Sequence, residues 1–124
     1  MQGKTPNKRV VGGAGEELVC GFLQKNGYRI VCRNYTVRGG EIDIIAEKDG
    51  ITAFVEVKLR KRGALVSGEE SITAGKRRSL VRTAERWCLA HECGSSRFDV
   101  AVLEEDAFGG YKLRYYVSAF DASK

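Results

Sequence analysis

The sequence predicts a mixed α/β fold in which helices pack on one five-stranded sheet, in the chain order α-β-β-β-α-β-β. Three observations lead to this prediction. Residues 40–58 have the pattern of a β-hairpin, and apolar residues recur at helical spacing both before and after it. The length of 124 residues and the hydrophobic content of 43% are enough for one core and too small for two domains.

The first helix is predicted over residues 9–26, where Asn26-Gly27 provides a stop. Residues 1–8 have no periodic apolar pattern, so we expect a mobile basic arm there and a single domain over residues 9–124. Glu16 is expected to lie off the apolar stripe of this helix, as most helix glutamates are solvated. The stripe consists of Val11, Ala14, Leu18 and Phe22, with Val19 and Leu23 on its flank.

The central hairpin is predicted to turn at Asp49-Gly50, because both residues tolerate the positive φ angles of a type I′ turn. The turn sets the register, so that Lys48 faces Ile51. The pairs further along are then Asp43 with Glu56, Glu41 with Lys58, Ile42 with Val57, and Ile44 with Val55.

Alternation along the strands gives this hairpin two different faces. One face is entirely apolar and carries Ile42, Ile44, Ala46, Ala53, Val55 and Val57. The other face mixes charged and apolar residues and carries Glu41, Asp43, Ile45, Phe54, Glu56 and Lys58.

The charged face is open to two interpretations. A solvated face is the usual result of alternation. Against it, aspartate is depleted in strands, and facing Asp43 and Glu56 carboxylates about 4 Å apart would repel by roughly 4 kcal/mol. A divalent cation reverses that cost, and Mg²⁺ prefers one or two carboxylates with water and phosphate. Asp43 and Glu56 are therefore candidate metal ligands, and Lys58 is a candidate contact to the scissile phosphate or a nucleophilic water.

Further strands are predicted over residues 28–36, 97–103 and 111–117, and a second helix over residues 73–92 with Thr73 as its N-cap. The helical crossover predicts that the fourth strand is parallel to the third, and the fifth strand is expected at an edge. The helix stripe that should face the sheet consists of Leu80, Ala84 and Trp87, with Val81 and Cys88 beside it.

Basic residues form two candidate nucleic-acid contacts. The predicted loop over residues 60–68 begins with Arg60, Lys61 and Arg62, and either clasps a phosphate backbone or is a solvated connector. The second helix carries a row at four-residue steps, Arg78, Arg82 and Arg86, which either tracks a backbone or is a solvated face partly neutralised by Glu85. Lys76 in the first turn is expected to contact a phosphate, because helix N-termini favour anions.

Asp43, followed after twelve intervening residues by Glu56-Val57-Lys58, resembles the core of the PD-(D/E)XK nuclease superfamily, although Ile42 replaces the motif's proline. The longer pattern resembles the bacterial YraN-type predicted endonucleases, which are similar to archaeal Holliday-junction resolvases, over about residues 8–122. It comprises Gly15-Glu16, Asn34, Gly40-Glu41-Ile42-Asp43, Phe54-Val55-Glu56-Val57-Lys58-x-Arg60, Lys76 and Arg97-Phe98-Asp99-Val100.

The resemblance implies a restriction-endonuclease-like fold and a centre that uses Mg²⁺ or Mn²⁺. It raises Glu16 from a solvated acid to a third carboxylate ligand beside Asp43 and Glu56. Glu17, its neighbour, points about 100° away around the helix and is the weaker choice.

Composition agrees with a nucleic-acid partner. Lys and Arg number 21 against 16 acidic residues, with a net charge of +5 and a pI near 9.1, which favours a polyanion such as DNA. The four cysteines form no CxxC pair, and no apolar run is long enough for a signal peptide or membrane span, so we expect reduced thiols and a cytoplasmic protein. Cys88, His91 and Cys93 lack a fourth ligand and fit no standard zinc spacing.

These observations support three functional hypotheses. The first is a metal-dependent endonuclease that hydrolyses DNA phosphodiester bonds and recognises branched or structured DNA by shape. The second is a non-catalytic nucleic-acid-binding or adaptor module with a nuclease-like fold. The third is an enzyme that acts only when paired, for which a two-fold homodimer would suit a symmetric junction.

Overall fold

A computed structural model describes residues 8–61 and 72–120, with side chains from residue 14 onward. Residues 1–7 of the predicted arm, Arg62 and the remainder of the predicted basic loop lie outside these described residues. The elements in chain order are α1 (Lys8–Lys25), β1 (Arg29–Val37), β2 (Gly40–Lys48), β3 (Ile51–Arg60), α2 (Ala74–His91), β4 (Ser95–Glu105) and β5 (Tyr111–Phe120). The helix α1 thus begins at Lys8, which had been assigned to the arm.

The five strands form one mixed sheet with the order β1-β2-β3-β4-β5. The first three strands are antiparallel, β4 is parallel to β3, and β5 is antiparallel to β4 at an edge. The predicted α/β fold class and element order are confirmed. Several strand boundaries differ from the prediction. Arg60 is the last residue of β3 and not part of a loop, and β5 continues past Val117 to Phe120. The strand β1 is shifted by one residue, and β4 is longer by two residues at each end.

Each face of the sheet is covered by one helix. Since successive side chains of β3 point to opposite faces, alternate residues of this strand belong to two separate cores. Ala53 and Val55 pack with the α1 residues Val19 and Leu23. Phe54 packs with α2, whose buried apolar residues are Leu80, Ala84 and Trp87 as predicted. Thr73 caps α2 by accepting a hydrogen bond from the Lys76 backbone N–H at 3.1 Å, which confirms the predicted start of this helix.

The buried face of α1 differs from the predicted stripe. Val19, Cys20 and Leu23 are buried, whereas Ala14 is exposed and Leu18 is 51% exposed. Glu16 lies on the buried face and not on the solvated one. The prediction centred the stripe on Leu18, whereas the packed face is centred on the predicted flank, Val19 and Leu23. These residues continue the four-residue spacing of Gly15, where an added Cβ would meet side chains of the sheet.

The central hairpin turns where predicted. Asp49 and Gly50 have φ angles of 52° and 77°, which is the left-handed pair that a type I′ turn requires. The pairing runs in the predicted register from Lys48 with Ile51 to Ile44 with Val55, and it ends there. The expected pairs of Asp43 with Glu56 and of Glu41 with Lys58 do not continue this ladder.

The predicted faces are wrong at Ile42, because the alternation of β2 breaks between Ile42 and Ile44. Ile42 packs in the α2 core with Ile45, while Ile44 packs in the α1 core. The neighbouring strand has an irregular backbone at the same level: Asn34 has a φ of 56°, although Arg33 and Tyr35 on either side of it pair with Ile44 and Ile42 in one register. Asp43, opposite Asn34, therefore lies at an irregularity of the sheet and not on a regular face.

Candidate metal and nucleic-acid site

The site begins where the β2–β3 ladder ends. Past Val55 the Val57 N–H has no ladder partner, and it donates instead to Asp43 Oδ2 at 2.8 Å. The aspartate side chain thus replaces a backbone carbonyl as the acceptor, which satisfies this amide while the two strands part. Asp43 is held beside Glu56, so the two acids predicted to act together are brought together by this interruption.

The pKa values of both acids reflect this crowding. Burial, and after it the neighbouring Asp43 carboxylate, raise the pKa of Glu56 to about 7 against the opposing effect of Lys76 and Lys58. Burial also raises the pKa of Asp43, although its hydrogen bond from Val57 acts in the opposite direction. Removing water and adding a like charge both disfavour ionisation, so the pair resists carrying two negative charges by itself.

One oxygen of this pair has no donor. Glu56 is 7% exposed, and its Oε1 atom is buried without a hydrogen-bond partner in the described part of the chain. A buried carboxylate oxygen without a donor is costly unless a proton or a cation satisfies it. Two adjoining carboxylates with one unsatisfied oxygen are a donor set suited to Mg²⁺ or Mn²⁺.

Glu16 approaches the pair from α1. A side chain at Gly15 would meet Leu103 Cδ1 at 3.0 Å and Leu59 Cδ2 at 3.3 Å, so the glycine permits close packing of the helix on the sheet. The charge of Glu16 contributes to raising the Asp43 pKa, and Arg33 Nη2 lies 3.8 Å from Glu16 Oε1. Glu17 points outward, with a 74% exposed side chain, to Arg33 Nη1 at 2.7 Å.

The predicted three-carboxylate set is only partly assembled. Across residues 8–61 and 72–120, no three His, Cys, Asp or Glu side chains converge closely enough to form a ready metal site. Asp43 and Glu56 adjoin each other, whereas Glu16 is near Asp43 without completing a cluster with both.

Two lysines lie near Glu56. Lys58 is half-buried on β3, two residues beyond Glu56, and its charge lowers the Glu56 pKa. Lys76 Nζ lies 3.6 Å from Glu56 Oε2, which nothing in the sequence pattern indicated. The lysine that was expected to contact a phosphate thus forms an ion pair with a proposed metal ligand.

The predicted DNA-contacting basic residues differ in their exposure to solvent. Arg78, Arg82 and Arg86 are all exposed on α2, in a row one helical turn apart. Lys61 is exposed and Arg60 is half-buried. Their arrangement leaves the charged row of α2 accessible to a large polyanion.

Comparison with known proteins identifies the family. Residues 15–103 match the family described as "Uncharacterised protein family UPF0102". This chain belongs to UPF0102. The resemblance to YraN-type proteins is thereby confirmed.

Curated UPF0102 proteins align with nearly the whole chain. The relative from Symbiobacterium thermophilum is 41% identical over 116 residues, covering 92% of this chain and 98% of the relative. The relative from Lachnoclostridium phytofermentans is 39% identical over 119 residues, covering 94% of this chain and 97% of the relative. Among solved structures, SfsA of Pyrococcus furiosus in complex with Ca²⁺ aligns with a TM-score of 0.44 and 18% identity, covering 90% of this chain and 64% of that one.

The UPF0102 chain also contains a buried polar network that sequence reasoning left without a role. Asp99 is 1% exposed and accepts hydrogen bonds from Arg97 Nε at 3.0 Å, the Tyr115 hydroxyl at 2.6 Å and the Ser118 N–H at 2.9 Å. Arg97 also donates to the Tyr28 hydroxyl. The clue in the sequence was the aspartate within the apolar run of β4, because a buried acid requires partners.

The cysteine and histidine residues at the end of α2 have ordinary structural contacts. His91 stacks on Trp87, with 3.6 Å between ring centroids, and its Nδ1 is 2.9 Å from the Trp87 carbonyl oxygen. Burial, with Cys93 beside it, raises the pKa of the Cys88 thiol to about 12, which disfavours the thiolate that binds zinc. Neither described helix is long and apolar enough to cross a membrane.

Proposed function

We propose that this UPF0102 protein is a metal-dependent endonuclease that hydrolyses phosphodiester bonds of DNA. The observation that carries the proposal is the adjoining Asp43 and Glu56 pair, with raised pKa values and a Glu56 oxygen for which residues 8–61 and 72–120 supply no donor. A protein that only binds phosphate has no use for such a pair, because uncompensated acids repel the ligand.

The chemistry follows from the residues around the pair. Asp43 and Glu56 would hold Mg²⁺ or Mn²⁺, with Glu16 as the third carboxylate that the family pattern implies. Such an ion polarises a phosphate and lowers the pKa of bound water. Lys58 orients the attacking water or neutralises the charge that develops on the phosphate. Glu56 must be ionised to bind the ion, so its raised pKa in the metal-free protein means that metal binding weakens as the pH falls below about 7.

The DNA backbone would be tracked by the exposed arginine row of α2, Arg78, Arg82 and Arg86, with Arg60, Lys61 and Arg62 as the further predicted contacts. Backbone contacts carry no sequence information, so recognition rests on DNA shape, with branched DNA as the first substrate to test. A homodimer that cuts a junction symmetrically stays a prediction.

An adaptor that binds DNA without cutting it is the second candidate. The exposed basic row and the incompletely assembled carboxylate set favour it. The two candidates differ in what the carboxylates do, so cleavage separates them.

The test is metal-dependent cleavage by the purified protein on single-stranded, duplex, flapped and four-way DNA, with Mg²⁺ or Mn²⁺. We expect cutting that disappears in Asp43→Ala and Lys58→Ala. Cutting that survives in both variants would reject the site. Salt-sensitive binding without any cutting would favour the adaptor.

A further inference from the structure

Lys76 lies in the first turn of α2 and reaches across to β3. Its backbone N–H is fixed by the Thr73 cap, and its Nζ lies 3.6 Å from Glu56 Oε2. The Glu56 side chain is 8% exposed and that of Lys76 is 40% exposed, so a partly exposed ammonium is paired with a buried carboxylate.

The electrostatics of α2 do not favour a lysine at position 76. Cations are disfavoured in the first turn of a helix, where the backbone dipole is positive, and α2 has no acidic residue in its first turn to offset it. The unfavourable position of the Lys76 charge is offset by the Glu56 carboxylate on β3. The charge of Lys76 lowers the pKa of both Glu56 and Asp43, so it acts on the pair as a whole.

The two oxygens of Glu56 are used differently. Oε2 is paired with Lys76, while Oε1 is buried and has no donor in the described residues. A carboxylate that binds a metal through one oxygen commonly has its other oxygen held by a neighbouring group, which fixes its orientation.

We infer that Lys76 is a positioning residue for the proposed metal site: it holds Glu56 by Oε2 so that Oε1 remains available, beside Asp43, for a divalent cation. The inference rests on the proposed function and changes the expected role of Lys76 from a phosphate contact to a support of the metal ligand. Lys58, on the same strand as Glu56, is then the lysine left to act on the phosphate.

The sign of the effect on metal affinity makes this inference testable. Removing a positive charge near a cation site should by simple electrostatics strengthen cation binding. Removing a group that orients a ligand weakens it, typically by 10-fold or more. Loss of Lys76 also raises the pKa of Glu56, which weakens metal binding more at low pH than at high pH. Weaker binding therefore indicates a positioning role when the ratio of the variant and wild-type affinities is the same at pH 7 and pH 8.5.

The experiment is the titration of the full chain with Mn²⁺ at pH 7 and pH 8.5, with free Mn²⁺ measured by electron paramagnetic resonance. Lys76→Met should bind Mn²⁺ about 10-fold more weakly than the wild type, and Lys76→Arg, which keeps the charge and donors, should recover most of the affinity. Lys112→Met removes the same charge from an exposed position on β5 that has no role in the proposed site, and its affinity should be unchanged or slightly higher. Circular dichroism and the unfolding midpoint of each variant check that the fold is retained.

Equal or tighter binding by Lys76→Met, with binding by the wild type intact, would overturn the positioning role and leave the proposed function standing. Weaker binding by Lys76→Met that Lys76→Arg does not recover would also overturn it, because charge and donors would then not be the cause. No Mn²⁺ binding by the wild type would overturn both this inference and the metal site of the proposed function.

Discussion

Asp43 and Asp99 occupy similar places in the sheet and have opposite surroundings. Each lies at an interruption of a strand pairing, and each accepts a backbone N–H from the neighbouring strand, from Val57 at 2.8 Å and from Ser118 at 2.9 Å. Asp99 has in addition an arginine and a tyrosine hydroxyl. Asp43 has a second carboxylate, Glu56.

The difference distinguishes a structural acid from a functional one. The hydrogen bonds to Asp99 satisfy the charge of this carboxylate within the protein, so the network stabilises the pairing of β4 with β5. The Asp43 and Glu56 pair keeps two acids together at a cost, and one of its oxygens has no donor in the part of the chain that the structure describes. Both features are expected where a ligand completes the site. Four predictions test this distinction, from the largest expected effect to the smallest.

The largest effect is expected for cleavage in Glu56→Gln. The amide has nearly the shape of the acid and cannot supply a charged metal ligand, so the cleavage rate should fall at least about 100-fold. The measurement is the single-turnover rate on the best DNA substrate. Glu47→Gln is the matched control, because Glu47 is an acid on the same hairpin that pairs with Arg29. Equal rates for Glu56→Gln and Glu47→Gln would remove the functional role of the pair.

A loss of stability is expected for Asp99→Asn. The change leaves the largely buried Arg97 without its counter-ion, so the free energy of unfolding should fall by about 2 to 4 kcal/mol. Urea unfolding measures it. Glu104→Gln, which removes an acid from the same strand whose Arg114 partner lies 3.9 Å away and is half-exposed, should change the free energy by less than about 1 kcal/mol. A loss for Asp99→Asn no larger than that control would show that the network is not structural.

Metal-free Glu56→Gln is expected to gain stability over the wild type as the pH rises, whereas Asp99→Asn is expected to lose stability. Glu56 has a pKa of about 7 in the folded protein against an ordinary value of 4.5, so the folded state holds a proton that the unfolded state has lost between these values. Stability of the wild type therefore falls as pH rises from about 4.5 to 7. Glutamine does not titrate in this range. The free energy of unfolding of Glu56→Gln minus that of the wild type should therefore be about 1 to 3 kcal/mol larger at pH 8 than at pH 4.

The measurement is urea unfolding at both pH values in the presence of a chelator. An advantage of Glu56→Gln that is the same at pH 4 and pH 8 would mean that burial does not raise the Glu56 pKa. A stability difference between Glu56→Gln and the wild type that becomes less favourable to the variant from pH 4 to pH 8 would contradict the account of the pair as a strained site.

The smallest effect is expected for DNA binding in Arg82→Gln. One lost phosphate contact should weaken binding several-fold at low salt and reduce the salt slope by about one unit. Fluorescence anisotropy from 50 to 200 mM salt measures both. Arg29→Gln, on β1 and paired with Glu47, is the control of equal charge. Equal salt slopes for the two variants would place the DNA elsewhere than on α2.

Much of the fold could be predicted because local rules determined it. The Asp49-Gly50 turn fixed the hairpin register, the Thr73 cap fixed the start of α2, and the helical crossover required β4 to be parallel to β3. Each of these depends on a few adjacent residues whose conformational preferences agree with the tertiary structure.

The details of the site were harder to predict, because they depend on contacts between distant segments. The break at Asn34 and Asp43 moved Ile42 to the other face, and a strand pattern read by alternation cannot include such a break. Asparagine inside a strand was the available clue, because it is depleted in strands and adopts left-handed φ angles more readily than most residues. The Lys76 to Glu56 pair joins residues 20 positions apart through α2 packing, for which the sequence pattern gives no indication.

The most direct test of the central claim is the stability of the protein with and without Mn²⁺, because it needs no knowledge of the natural DNA substrate. A cation bound to the folded state raises the unfolding midpoint with its concentration. The account predicts that Mn²⁺ raises the midpoint of the wild type and of Asp99→Asn, and leaves that of Glu56→Gln unchanged. A rise in Glu56→Gln equal to that of the wild type would contradict the assignment of the Asp43 and Glu56 pair as the metal site.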